Sequence, residues 1–427
     1  MERRRSGVNR RDFLKGAAAL AAAPCIVPAT ALGREGRAAP SERIVVGGIG
    51  IGRRGIHDLR MFLRWPDVQV AAVSDPQRDN REQAKQQVNR HYGNPGCAAY
   101  VDFREMLARN DINAIFVATG DRWHARASIM AMKGGKDVYC EKPGSMSIAE
   151  GRALADVERC YGRVYQAGTQ RRSMEPFVFV IQLARTGRLG KIHTLRAYVA
   201  GGLPPHRLLP PEPEPPRDVL DWDLFWGPAP WRSYNKGYLN WGGHYDLSAG
   251  GAPGTGSHTF DMCQFANDSE NAGPTEYEAP NRDRGEAVVA RYANSVKLLG
   301  GIGRSFPGSF GIRVEGSEGW AECSDGQEPT FHPKSLGGER ERLIRNYMAQ
   351  SGRPLDHWRD FLDCVKTRRL ATAPAETAHR ALTVCHVANI ALQLRRNMKW
   401  DPAKEEFIGD EEANRMRWRP TRALWQF

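Results

Sequence analysis

Apolar and polar positions follow two rhythms along this chain, and the rhythm changes near residue 170. From residue 43 to 168 short apolar runs alternate with amphipathic stretches of about ten residues. The runs at 43–49, 68–73, 114–118, 137–140 and 164–167 read as buried strands. The stretches at 56–63, 81–92, 103–108, 124–133 and 147–160 read as helices, the third capped by Asp102. Strands alternating with helices predict an α/β fold with a mostly parallel, doubly wound sheet. Beyond residue 170 the strand-like runs at 191–200, 286–299, 309–315 and 319–323 have few long helices between them. That spacing predicts a second, open, mostly antiparallel sheet.

Two irregular segments interrupt the second half. Residues 203–216 are too rich in proline for a regular element. Trp222, Phe225, Trp226, Trp231, Tyr234, Tyr238 and Trp241 follow closely. Such aromatics either stack on sugar rings or clamp a loop to the sheet or a partner subunit. Residues 361–396 are helical and are expected to return to the first domain. The basic, aromatic end at 415–427 reads as an arm over its own or a neighbouring surface.

Chemistry first appears in the glycines. Gly50-Ile51-Gly52-Arg53-Arg54-Gly55 follows the first strand, and Asp75 ends the second strand twenty residues later. Glycines at this spacing permit a tight turn, close approach of a pyrophosphate, and close packing of helix on strand. The Asp75 carboxylate suits the ribose hydroxyls of NAD and repels a 2′-phosphate. Gln77 and Arg78 leave room for NADP. Thr119, Gly120, Asp121, Trp123, His124, Glu141, Lys142 and Pro143 fall at the carboxyl ends of strands, where such sheets bind ligands.

The N-terminus carries a different message. Six basic residues lie among the first fifteen, ending in Arg10-Arg11-Asp12-Phe13-Leu14-Lys15. An alanine-rich apolar run follows, shorter than a membrane span. This order resembles a twin-arginine export signal. Residues 1–31 are assigned to it, with Ala29-Thr30-Ala31 as the cleavage site and 32–42 as linker. Cys25 suggests a lipobox, but Pro24 before it fits poorly. The mature protein is expected in the periplasm or otherwise exported, with no stable membrane anchor.

Composition narrows the field. The 427 residues are 41% hydrophobic and 26% charged, which excludes wholesale disorder. Eight cysteines without a CxxC pair argue against a disulfide scaffold, zinc ribbon or ferredoxin, and no metal is expected. A net charge of +12, spread over the whole chain without a recognition module, points to no nucleic-acid partner.

With these residues in view, the chain from 43 to 427 resembles the Gfo/Idh/MocA oxidoreductases, the glucose–fructose oxidoreductase and inositol dehydrogenase group. The resemblance rests on the glycine motif through His57, on Thr119 to His124, on Glu141-Lys142-Pro143 and on Gly168-Thr169-Gln170-Arg171-Arg172. It extends to Gly256-Ser257-His258-Thr259-Phe260-Asp261 and to Leu394-Arg395-Arg396-Asn397-Met398-Lys399-Trp400-Asp401-Pro402. It implies a Rossmann domain at 43–168, a substrate and oligomerisation domain at 169–370, and a C-terminal helix and arm at 371–427. It also implies a homodimer or homotetramer.

The resemblance places Lys142 near the reacting hydroxyl and the nicotinamide, and makes His258, with Asp261, the proton acceptor or donor. Cofactor contacts are expected from Gly50, Gly52, Arg53, Arg54, Gly55, Asp75, Arg78, Thr119, Gly120, His124, Glu141 and Lys142. Substrate contacts are expected from Arg171, Arg172, Trp241, His244, Tyr245, Asp246 and His258. One position departs from the family. Many relatives carry an Asp two residues before the glycine of the second motif, where this chain has Gly254; His244 and Asp246 are the candidates to replace it.

The implied activity is NAD(P)-dependent oxidation of a secondary hydroxyl on a sugar, inositol or related polyol. Because free NAD is scarce outside the cytoplasm, the cofactor is expected to be tightly bound and internally recycled. Two alternatives accompany this reading. One is an NAD-dependent glycoside hydrolase using transient oxidation and elimination. The other is a non-catalytic dinucleotide-binding sensor or scaffold.

Overall fold

The computed structural model describes residues 39–279, 286–301, 306 and 308–425. The export segment, with Cys25 and Ala29 to Ala31, lies outside the described residues. The chain divides into a unit Met1–Arg43, whose described part carries one 3-10 turn, Pro40–Glu42, and a unit Ile44–Phe427.

The first half of the larger unit alternates β1 (Ile44–Ile49), α1 (Arg53–Leu63), β2 (Val68–Ser74), α2 (Arg78–Tyr92), β3 (Ala98–Tyr100), α3 (Phe103–Leu107), β4 (Ala114–Val117), α4 (Asp121–Lys133), β5 (Asp137–Cys140), α5 (Ile148–Tyr161) and β6 (Tyr165–Ala167). The strands form a parallel sheet in the order β3-β2-β1-β4-β5-β6, the doubly wound arrangement expected. Asp102 caps α3 by accepting the Arg104 N–H at 2.9 Å, and Ser147 caps α5. Helices α1, α2 and α4 begin three residues before the polar–apolar pattern predicts. Their first turns carry arginines and two aspartates, Asp79 and Asp121, so they lack the apolar stripe that marks the later turns.

The second half runs α6 (Glu175–Arg185), β7 (Ile192–Tyr198), α7 (Trp222–Trp226), α8 (Gly251–Ala266), β8 (Glu276–Glu278), β9 (Glu286–Arg291), β10 (Lys297–Gly301), β11 (Ile312–Gly316), β12 (Gly319–Cys323), β13 (Thr330–His332), α9 (Arg340–Ser351), α10 (His357–Thr367), α11 (Ala375–Leu394), β14 (Met398–Asp401) and β15 (Glu406–Phe407). Nine strands form one sheet in the order β13-β12-β11-β7-β10-β9-β8-β14-β15. Among its described pairs only β7–β10 is parallel. The strand expected over 286–299 is a hairpin, turning between β9 and β10 with Ser295 at φ 69°.

The helix expected over 361–396 is two helices. Arg368 at φ 60° ends α10, and Pro374 caps α11. Phe361 and Leu362 of α10 join the core under the parallel sheet, with Phe361 edge-on to Phe62 at 6.1 Å. The return to the first domain therefore begins before residue 371. The C-terminal arm lies over its own chain: Trp425 is buried edge-on against Trp123 at 4.8 Å.

Candidate active site

A cavity of about 620 Å³ opens beyond the carboxyl ends of β1, β2 and β4, where the strand order of the sheet reverses. Gly50, Gly52, Arg53, Arg54, Asp75, Pro76, Gln77, Thr119 and Gly120 belong to its wall. Each glycine of the turn has its own reason. Gly50 sits at φ 79°, and a Cβ there would come within 2.6 Å of the Thr119 backbone. A Cβ on Gly55 would collide with the Gly50 carbonyl oxygen, whereas one on Gly52 would meet only Asn80, at 4.0 Å. The first glycine makes the turn, the third lets α1 pack on it, and the second leaves room for a ligand.

Asp75 is buried and anchors this turn. Its Oδ2 accepts the Ile51 N–H at 2.8 Å and its Oδ1 the Gln77 N–H at 2.9 Å. Burial raises its pKa, against the pull of those two amides. The neighbouring cation expected to face the cofactor does not: Arg78 is bound to Asp218 and to the Asp218 carbonyl.

Asp218 belongs to a strap, residues 203–250, that crosses the cavity. The Arg78 N–H donates to the Val219 carbonyl at 2.9 Å, and the Asp221 N–H to the Pro76 carbonyl at 3.1 Å. Trp123 Nε1 donates to the Leu224 carbonyl at 2.9 Å. Asp121 Oδ2 accepts the Ser248 hydroxyl at 3.0 Å and the Ala249 N–H at 2.9 Å. The strap has its own core, in which Trp222 stacks on Phe225 at 5.4 Å and Trp226 meets Tyr238 edge-on at 5.0 Å. Most of the aromatic stretch is therefore a clamp. Trp241 is the aromatic of that stretch, with Phe225, that reaches the cavity wall.

Lys142 reaches α8, the helix that carries His258, and neither residue belongs to the cavity wall. Lys142 Nζ donates to the Gly254 carbonyl at 2.9 Å, one turn before His258. Burial lowers the Lys142 pKa, and the charges of Glu141 and Asp121 oppose that shift. Burial also pushes His258 well below its ordinary value, reinforced by Arg171, Lys142 and Arg54. His258 is neutral, edge-on to Phe310 at 5.1 Å, and its Nδ1 has no partner among the described residues. Glu141 holds Arg54 at 2.6 Å and Gln170 at 2.7 Å.

Several expected site residues are otherwise engaged. Arg172 and Asp261 are bound to each other through two contacts of 2.6 Å, and Arg172 also reaches Glu270 at 2.6 Å. Both are buried, so this is an internal ion pair joining α8 to the segment after β6, with no free group for substrate or for His258. Arg171 pairs with Asp325 and lies over the Phe310 ring at 3.9 Å. His124 presents Nδ1 to the Pro143 carbonyl at 2.8 Å and Nε2 to the Thr119 carbonyl at 3.1 Å, bracing two loops rather than facing the cavity. His244 packs on Tyr238 inside the strap, and Asp246 pairs with Arg232 at 3.2 Å. Tyr245 lies between His206 and Arg419. Neither His244 nor Asp246 supplies the carboxylate absent at Gly254, where a Cβ would meet open space. Arg122, Val101, Phe103 and Leu224 also line the cavity and escaped the sequence reading. The position of residue 122 directly after the β4 loop was the available signal for the arginine.

Residues 43–169 match the oxidoreductase family with an NAD-binding Rossmann fold, Gfo/Idh/MocA, and residues 206–299 and 340–427 match its C-terminal alpha/beta domain. The chain belongs to this family. Residues 7–26 match the twin-arginine translocation signal, which marks this Gfo/Idh/MocA protein for export. No helix among the described residues is long and apolar enough to cross a membrane.

A curated relative, glycosyl hydrolase family 109 protein 1 of Shewanella sp. (strain ANA-3), is 28% identical over 213 residues, 45% of this chain and 46% of its own. The chain thus spans about half the length of the curated relatives it matches. Among solved structures, aldose–aldose oxidoreductase of Caulobacter crescentus superimposes with a TM-score of 0.58 at 17% identity, covering 84% of this chain and 99% of that one. Myo-inositol 2-dehydrogenase of Lactobacillus plantarum gives 0.57 at 16%, with the same coverage. At such identities the likeness establishes the fold. The cavity, its glycine turn and Asp75 fit a nicotinamide dinucleotide, the ligand class of the family.

Proposed function

We propose that this protein is an exported oxidoreductase acting on a secondary hydroxyl of a sugar, inositol or related polyol. Its dinucleotide stays bound and is returned to its starting state in each turnover. The observation that carries this reading is the strap pinned across a cavity whose glycine turn and Asp75 suit a dinucleotide. NAD is the better fit, because Asp75 repels a 2′-phosphate and Arg78 is already committed to Asp218.

The dinucleotide, when bound, supplies the hydride acceptor. As a neutral imidazole, His258 takes the hydroxyl proton. The Lys142 ammonium favours alkoxide character on the reacting oxygen. The strap keeps bulk water from the cavity, and the Arg172–Asp261 pair fixes the helix that carries His258. The carbonyl carbon of an aldose or ketose then takes up the hydride and its oxygen a proton, so one substrate is oxidised and another reduced.

The test is a half-reaction. Adding polyols to purified protein, with no added dinucleotide, should raise the near-ultraviolet band of reduced nicotinamide to at most one equivalent. Adding an aldose or ketose acceptor should remove it. His258→Asn should slow the first phase roughly 10²–10⁴-fold while leaving the dinucleotide bound. A band that grows far past the enzyme concentration on adding free NAD⁺ contradicts internal recycling.

The match to family 109 glycosyl hydrolases supports a second reading on the same residues. There, transient oxidation beside a glycosidic bond is followed by elimination, hydration and re-reduction, for net cleavage. Release of an aglycone with no lasting change in the nicotinamide band selects it.

A further inference from the structure

Arg122 is a buried cation without a counter-ion. It stands in the first turn of the 13-residue helix α4, 4% exposed. Its Nε donates to the Phe225 carbonyl at 2.9 Å and to the Trp226 carbonyl at 3.0 Å, and Nη2 also reaches Phe225. The guanidinium lies over the Phe225 ring at 4.7 Å. All of these partners are neutral. Its Nη1 has no partner among the described residues.

The nearest carboxylates are spent elsewhere. Asp121 accepts Ser248 and Ala249, and Asp75 accepts Ile51 and Gln77. Burial pushes the Arg122 pKa down to about 10, with Asp121 and Asp75 resisting, so the group remains charged at neutral pH. A buried guanidinium held only by carbonyls leaves a large desolvation cost uncompensated.

The unpartnered nitrogen has a direction. Arg122 lines the same cavity as the glycine turn. A Cβ on Gly120 would collide with Arg122 Nη1 and meet the Trp241 ring at 3.2 Å. Nη1 therefore lies against the N-terminal end of α4, where the helix dipole adds to its charge. The strap's carbonyls hold the fork in place, and its unpartnered edge lies among Gly120 and Trp241, which line the same cavity as Gly50 and Gly52.

We propose that Arg122 is a phosphate receptor of the dinucleotide cavity, its Nη1 edge bonding a phosphate oxygen of the bound dinucleotide. The pyrophosphate, beside the glycine turn, is the expected source, and an adenosine 2′-phosphate is the other source of the same chemistry. Because Arg122 also grips the strap, filling its free edge links cofactor binding to strap closure. The inference rests on the dinucleotide reading of the cavity, but not on the reaction performed there.

The test compares ligands by equilibrium binding and thermal shift, using full mature chain freed of endogenous dinucleotide. In Arg122→Met, affinity for ADP-ribose and NAD⁺ should fall roughly ten- to hundred-fold while affinity for adenosine is unchanged. Arg122→Lys should recover part of the loss. Loss confined to NADP⁺ assigns the receptor to the 2′-phosphate. Trp123→Phe removes a different strap bond and controls for loosening: it should weaken adenosine and ADP-ribose alike. If Arg122→Met also weakens adenosine and ADP-ribose alike, or leaves ADP-ribose, NAD⁺ and NADP⁺ all unaffected, the proposal is overturned. Normal half-reactions in that event would leave the redox reading standing, whereas phosphate-selective loss in a protein inert to every polyol would remove only the redox reading.

Discussion

Asp261→Asn separates a structural carboxylate from a catalytic one. Asp261 is 1% exposed and Arg172 2%, and they share two contacts of 2.6 Å. Removing one charge of such a buried pair costs about 3–5 kcal/mol, because the other is left inside without its partner. Glu270 at 2.6 Å and the Thr372 carbonyl at 3.0 Å still hold Arg172, which places the cost toward the lower figure. Over roughly 380 residues unfolding as one unit, that is a fall in melting temperature of about 4–6 °C. Replacing both partners, as Arg172→Leu with Asp261→Leu, should recover most of the loss. Glu270 is not stranded by this change, since its side chain is 24% exposed and lies 3.9 Å from Arg185. The assay pairs differential scanning calorimetry with the half-reaction rate per folded molecule. The expected pattern is a large stability loss in the single variant, a small one in the double variant, and a rate within about tenfold of the parent in both. A single variant that melts normally yet loses 10²–10⁴-fold in rate, roughly the share of a general acid–base group, would refute the structural assignment.

Further predictions address the strap, the α8 turn and pH. Trp222→Ala should cost about 3–5 kcal/mol and speed dinucleotide release, measured by chase with labelled NAD⁺, because Trp222 is fully buried at the strap's centre. Gly254→Asp should fold at least as stably as the parent, since a Cβ meets open space and glycine is a poor helix former. Its carboxylate beside Lys142 should raise the lysine pKa and shift the alkaline limb of the rate profile upward. Buried His357 and His386 have pKa values lowered by burial to about 4 and about 3. The unfolded chain binds their protons below about pH 6.5 and the folded chain does not, so stability falls as pH drops through that value. Glu158, raised by burial to about 7, acts oppositely, giving stability below about pH 4.5 that fades as pH rises to 7. Between pH 6.5 and 5 these two histidines lower the urea midpoint as pH falls, by more than Glu158 returns. His357→Asn should flatten that slope by about 1.4 kcal/mol per pH unit.

The parallel sheet was legible because its strands are short, mostly apolar runs and its glycine turn has steric requirements that few other residues meet. The late helix starts expose what periodicity misses. Arg53, Arg54, Arg78, Asp121 and Arg122 occupy first turns beside the cavity or the strap, and such positions carry no core-facing stripe. Helix α8 was hidden for a related reason, since Gly251-Ala252-Pro253-Gly254-Thr255-Gly256 reads as loop while its backbone packs under α11. The family motifs located Lys142 and His258, and Lys142 reaches the helix that carries His258. They also nominated Arg172 and Asp261 as separate site residues, because charge in a sequence shows no partner. His244 and Asp246 lie ten and eight residues before Gly254, but the strap turns them into its own interior.

The central claim is that the exported protein holds its dinucleotide and reduces it with a polyol. The most direct measurement is mass spectrometry of what the purified mature chain releases on denaturation, before and after exposure to a polyol panel. The account predicts close to one dinucleotide per chain after prolonged dialysis, with oxidised cofactor converted to reduced by at least one polyol. A chain that releases none, binds neither NAD⁺ nor NADP⁺, and leaves every polyol unchanged would contradict it.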